Sequence, residues 1–111
     1  MKIVALASAL LMLVAPATAA ETVTVGSKGF TESVVLGEIL GHLAKQTGAT
    51  VEHRAGLGGT RVLWSGLLAG EIDLYPDYTG TITHEILANE GGPQLADEAA
   101  IRSALAAHDV G

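Results

Sequence analysis

Apolar and polar residues alternate through TVTVG, Thr22 to Gly26. That period of two, carried by β-branched residues, predicts a strand. After a turn at Ser27 to Gly29 the period changes. In FTESVVLGEILGHLAKQTG, Leu36, Ile39, Leu40 and Leu43 fall at i, i+3, i+4 and i+7, the stripe of a helix. Thr31 is the expected N-cap, because its hydroxyl can accept a free first-turn amide. Phe30 and Val35 then stand at the positions of a hydrophobic staple. Lys45 suits the negative end of the helix dipole, and Gly48 suits the residue just past the end.

ATVEHR, Ala49 to Arg54, is a second short strand, and AGLGG a loop. Thr60 is placed to cap a helix over RVLWSGLLA, with Leu63 and Leu67 four apart and Gly70 ending it. EIDLY, Glu71 to Tyr75, predicts a third strand. Thr79 or Thr81 would cap a third helix through about Ala88. NEGGPQ is a linker, and Asp97 is placed to cap a fourth helix over roughly Glu98 to His108. Strands alternating with helices predict an α/β fold with a parallel sheet. A further strand is the element expected after DVG, so the chain looks truncated.

The first twenty residues stand apart. Lys2 precedes an apolar run of thirteen, Ile3 to Ala15, then Pro16 and ATAA. This is the pattern of a secretory signal with cleavage after Ala19 or Ala20. The run is shorter than the roughly 20 residues a spanning helix needs. Residues 21–111 are then the mature part. The net charge of −6 becomes −7 without Lys2. Such a balance argues against nucleic acid and against an anionic membrane surface. There is no cysteine, hence no disulfide, thiol nucleophile or lipidated cysteine.

In open α/β sheets, ligands bind outside the carboxyl ends of the strands. Three segments belong there: GSKGFT, GLGGT and YPDYTGT. Each leads into a helix N-terminus, so free amides should face one rim and suit an anionic group. Catalytic patterns are absent. Arg61 stands where a dinucleotide loop needs its last glycine, and no P-loop exists. His84-Glu85 lacks the second histidine of a zinc helix, because residue 88 is alanine. No serine elbow is found. No cofactor and no metal ligand set is expected.

Among rim residues, Lys28 reads either as a solvated lysine or as a group that meets the ligand. Asp77, after Pro76, reads as turn chemistry, and Asp73 as solvent-facing. Trp64 reads as packing. The chain has only four aromatic residues, and two of them, Tyr75 and Tyr78, lie three positions apart in LYPDYTGT. Tyr75 ends a strand and can pack. Tyr78 lies beyond Pro76 with little core to join. A ring held on a rim suits a cation, because aromatic faces attract quaternary ammonium groups.

GSKGFTESVVLGEIL and AGLGGTRVLWSGLLAGEIDLYPDYTGT together resemble the glycine betaine/choline class of osmoprotectant substrate-binding proteins of ABC importers. The similarity runs from about Val23 to Leu87. It implies a two-lobed periplasmic-binding-protein fold (type II), of which residues 21–111 would be the first part of one lobe. It implies a periplasmic location, a quaternary-ammonium ligand held in an aromatic cage, and delivery to a permease subunit. Carried over by motif, the ligand-binding residues are Lys28, Tyr78 and Thr81, with Tyr75 supporting the loop. Family members are longer and carry further cage residues in the second lobe. The rival expectations are a receptor for another small solute such as an amino acid or oxyanion, a small exported enzyme, an interaction domain, and a truncated fragment without function.

Overall fold

The structure, a computed structural model, describes Ala15 and residues 18–111. The expected secretory signal falls largely on residues outside that set. Among the described residues no helix is long and apolar enough to cross a membrane.

Strand β1, Thr22–Gly26, pairs in parallel with β2, Thr50–Arg54, in the register Val23↔Val51 and Val25↔His53. Helix α1, Thr31–Lys45, makes the crossover that parallel pairing requires. Helix α2, Thr60–Leu68, follows β2, and Gly70, at φ +74°, terminates it as expected. The α/β class and the parallel pairing agree with the sequence.

The third strand shrinks to a single bridge, Val25↔Leu74. Three hydrogen bonds account for this. The Thr24 amide donates to the Asp73 carboxylate at 2.7 Å instead of to a backbone carbonyl. The amides of Glu71 and Ile72 turn back to the Gly66 carbonyl at the end of α2. Pro76 then has no N–H with which to extend the ladder. Asp73 is exposed, as expected, and also holds the edge of β1.

Helix α1 buries Ser33, Gly37 and Gly41 most deeply, while Leu36 and Leu40 of the leucine stripe are only half-buried. Ile39 and Leu43 are 50% and 54% exposed. The cause is close approach. A Cβ at Gly37 would stand 2.6 Å from His53 Nε2, and one at Gly41 would meet Val51. The small residues admit the β2 side chains, and Ile39 and Leu43 turn outward. On the opposite face Gly26 lies beneath Leu63 of α2 and Ile72. Val25, Leu63, Ile72 and Leu87 form the buried centre.

Helix starts differ from expectation by one residue. Phe30, Gly59 and Tyr78 occupy the cap positions, without side-chain caps, and Thr31, Thr60 and Thr79 are the first helical residues. Phe30 and Val35 are both exposed, so no staple closes over α1. Short helix α3, Thr79–Thr81, runs into a π-helical turn at Ile82–Ile86 instead of continuing to Ala88. The Thr83 hydroxyl donates back to the carbonyls of Thr79 and Gly80, which competes with α-helical pairing. A 3-10 turn at Gly92–Gln94 leads to α4, Glu98–Ala106. There Asp97 caps as expected, accepting from the Ala100 amide at 2.9 Å. Such a cap is worth about 0.5–2 kcal/mol.

Candidate functional site

The three loops expected on one rim do converge. The Gly29 amide donates to the Gly58 carbonyl at 3.0 Å, and the Leu57 amide to the Ser27 carbonyl at 2.9 Å. These bonds join the first loop to the second. The third loop joins through side chains. Lys28 Nζ donates to Asp77 Oδ1 at 2.7 Å and to Thr60 Oγ1 at 3.1 Å. The ion pair is buried, with side chains 7% and 5% exposed.

This changes the reading of two residues. Asp77 does form a local turn bond, from the Tyr78 amide to its Oδ1 at 2.9 Å. Its larger part is long-range, as the counter-charge to a lysine 49 positions upstream. Lys28, expected at the ligand, has its charge spent inside the protein. The local signature of Pro-Asp in a turn is the same in either case, so only the presence of a single lysine on the facing loop hints at the pair.

Tyr78 stands out on the rim and is 45% exposed. Its hydroxyl donates to Glu32 Oε1 in the first turn of α1. That bond, with burial and the charges of Glu32 and Asp77, raises the phenol's pKa. Glu32 has no ion-pair partner among the described residues. With Lys28 paired to Asp77, the charge in contact with the Tyr78 ring is the Glu32 carboxylate. Phe30, 44% exposed, lines the same small hollow as Lys28, Pro76, Asp77 and Tyr78. The hollow holds only about 10 Å³, barely one water. Thr81 ends α3, three residues after Tyr78, and is half-buried.

Tyr75 behaves differently. It is half-buried and lines a cavity of about 260 Å³ whose walls are mostly apolar, Trp64, Leu74, Ile82 and Leu105 among them, with Asp73 and Asp77 also present. Burial first, and then the neighbouring Asp77 charge, push its phenol far up. Trp64 packs its ring edge-on against His108, with centroids 5.6 Å apart. The two tyrosines thus part company on either side of Pro76.

One constellation is not legible in the sequence. Ser27 Oγ lies 2.9 Å from His53 Nε2, and His53 Nδ1 lies 2.6 Å from Glu38 Oε1. A carboxylate only accepts, so Nδ1 donates and Nε2 can receive the serine proton. The hydrogen bond from His53 holds Glu38 below the usual carboxylate range. The order Ser–His–Glu matches a hydrolase triad. Ser27, however, is completely buried beneath α1, so a substrate has no approach to its oxygen. The group serves as a polar seam between β1, β2 and α1. His53 alternates with Glu52 and Arg54 on β2, and that alternation is its one local sign. Among the described residues no cluster of three or more His, Cys, Asp or Glu side chains is spaced to hold a metal ion.

Comparison with known proteins bears on the same residues. Residues 21–110 match the substrate binding domain of the ABC-type glycine betaine transport system. The glycine betaine-binding protein YehZ of Escherichia coli (strain K12) is 40% identical over 77 residues, which are 67% of this chain and 25% of that protein. The ergothioneine transport permease/ergothioneine binding protein EgtU of Helicobacter pylori (strain G27) is 35% identical over 85 residues, 76% of this chain and 15% of that protein. The chain thus spans a quarter or less of the curated relatives it matches.

Proposed function

We propose, for a chain that belongs to the substrate-binding domain family of ABC-type glycine betaine transport systems, that it forms the ligand-facing first part of one lobe of a receptor for a quaternary-ammonium solute. On this reading residues 1–20 are an export signal, the receptor works in the periplasm, and a permease subunit takes the solute from it. The fold of the whole receptor would be a two-lobed binding protein that closes on its ligand. It carries out no chemistry on the solute.

The observation that carries this reading is the charge balance around one exposed ring. Tyr78 is 45% exposed with its hydroxyl on the Glu32 carboxylate, while the lysine of the first loop is paired to Asp77. An aromatic face next to a negative charge favours a cation. The same balance disfavours an oxyanion, which would need the lysine free. The relatives' printed ligands, glycine betaine and ergothioneine, support a small-solute receptor. Tyr78 would stack on the ammonium head, Thr81 would supply one hydrogen bond, and Lys28 would serve the site from inside the ion pair. The hollow of about 10 Å³ is too small to enclose such a head, so a second wall completes the cage.

One cation–π contact is worth about 0.5–2 kcal/mol, far below the roughly 4 kcal/mol of a millimolar complex. The chain alone should therefore bind choline, glycine betaine or carnitine only at about tens of millimolar or more weakly. Calorimetric titration with each tests this, and Tyr78→Ala should weaken the best of them about tenfold, or about 1.4 kcal/mol. In the full-length receptor, where the second wall completes the cage, no heat with any of the three at millimolar ligand, on a scale where millimolar is weak, would reject the reading.

A further inference from the structure

Asp77 holds more than a turn requires. Its Oδ1 accepts two bonds, from Lys28 Nζ at 2.7 Å and from the Tyr78 amide at 2.9 Å. Its Oδ2 is buried without a partner in good hydrogen-bond geometry, and the Tyr75 phenol lies close enough to the same carboxylate to feel it. An Asx turn alone is served as well by asparagine or serine, without burying a charge. A buried pair is also weak evidence for stability, since its desolvation offsets its attraction. Neither the turn nor stability therefore requires a buried carboxylate at this position. What it does is local and directional. One oxygen atom grips both the lysine of the first loop and the backbone of the residue that carries the exposed ring. The far end of that ring is tied to Glu32 on α1. The ring is thus fixed at its root by Asp77 and at its tip by Glu32.

We propose that Asp77 is the positioning residue of the rim: it sets the Tyr78 ring against Glu32, and Lys28 acts through Asp77 and not on the ligand. The importance of that placement for binding rests on the receptor reading above, but the placement itself can be measured without any ligand. Two double variants separate the roles. Lys28→Met with Asp77→Leu removes charge and acceptor together. Lys28→Met with Asp77→Asn removes the charge but keeps an acceptor for the Tyr78 amide. Neither leaves an uncompensated buried charge, so both should fold. Far-UV circular dichroism and Trp64 fluorescence check that they do.

The readout is the ring carbon signal of 13C-labelled Tyr78 at neutral pH, with and without Glu32→Gln. In the otherwise unchanged chain, Glu32→Gln should shift that signal, because the phenol loses its carboxylate acceptor. In the Met/Leu background the same substitution should have less than about a third of that effect, a coupling of the kind expected between residues in one network. In the Met/Asn background most of the effect should return. An equal Glu32→Gln shift in a folded Met/Leu variant overturns the proposal. So does a Met/Leu variant that is unfolded while Met/Asn is folded, because Asp77 would then be a support of the fold and not of the ring. Absence of ligand binding by the full-length receptor with the coupling intact would reject the receptor reading and leave the positioning role standing.

Discussion

Asp77→Leu alone should cost the folded state about 3–5 kcal/mol. The substitution leaves Lys28 Nζ buried with Thr60 Oγ1 as its remaining partner, and an ammonium without a counter-charge is expensive away from water. The loss is large beside a typical total stability of about 5–15 kcal/mol. Lys28→Met alone should be about as harmful, because it strands the carboxylate. The double variant, Lys28→Met with Asp77→Leu, should recover to within about 1 kcal/mol of the unchanged chain, since well-packed apolar replacements of buried pairs are often neutral. Urea unfolding followed by the fluorescence of Trp64 gives all four values. Single variants within about 1 kcal/mol of the parent would mean that the pair is solvated, where ion pairs contribute little.

Gly92→Ala is the second large effect, at about 3 kcal/mol, the upper end of what overpacking costs. A Cβ there would lie 2.0 Å from the Thr83 carbonyl oxygen and 2.6 Å from that of Leu87. Both are backbone atoms and cannot rotate away. Relief requires opening the bond from the Gly92 amide to Leu87 at 3.0 Å, and with it the seat of the π-helical turn. Gly91 provides the control. It sits at φ +76°, and a methyl group added there would meet no atom within 4 Å. Gly91→Ala should therefore cost only the left-handed conformation, about 1–2 kcal/mol. Thermal unfolding of the two variants should separate them clearly. Equal costs would remove the packing explanation.

Local pattern is enough to find β1, α1, β2, α2 and α4, because each is written in neighbouring residues. Alternation in TVTVG and a cap at Asp97 need no distant partner. Pattern fails where a distant partner decides. The strand expected at Glu71 to Tyr75 has the right composition, but Asp73 reaches Thr24 and displaces a ladder bond. The leucine stripe of α1 is genuinely helical, yet His53, on another strand, needs the room that Gly37 leaves. Helix caps slip by one residue because Thr31, Thr60 and Thr79 each follow a residue that already has extended backbone.

The rim divides the same way. Tyr78 can be placed on it from Pro76 alone, which stops the strand and leaves the ring no core to join. Tyr75 can be assigned to packing for the complementary reason. The pairing of Lys28 is the part that local sequence does not reveal. Lys28 and Asp77 are 49 positions apart, and nothing near either residue announces the other. Glu32 is legible only as a favourable charge in the first turn of a helix. Its contact with Tyr78 depends on how α1 and the third loop are assembled. Buried Ser27 and His53 show the same limit, since Ser27 follows one strand and His53 belongs to another.

The central claim is that Tyr78, and not Tyr75, is the ring that meets the ligand. With only two tyrosines in the chain, 13C-labelled tyrosine gives two ring signals, assigned by Tyr75→Phe and Tyr78→Phe. The decisive measurement is their response to tetramethylammonium, a cation with no hydrogen-bond donor. The Tyr78 signal should move with a midpoint at about tens of millimolar or weaker, on the order expected for a single cation–π contact, while Tyr75 stays in place. Movement of Tyr75 alone would put the cation in the cavity beside Trp64 and contradict the claim, as would two signals that do not move.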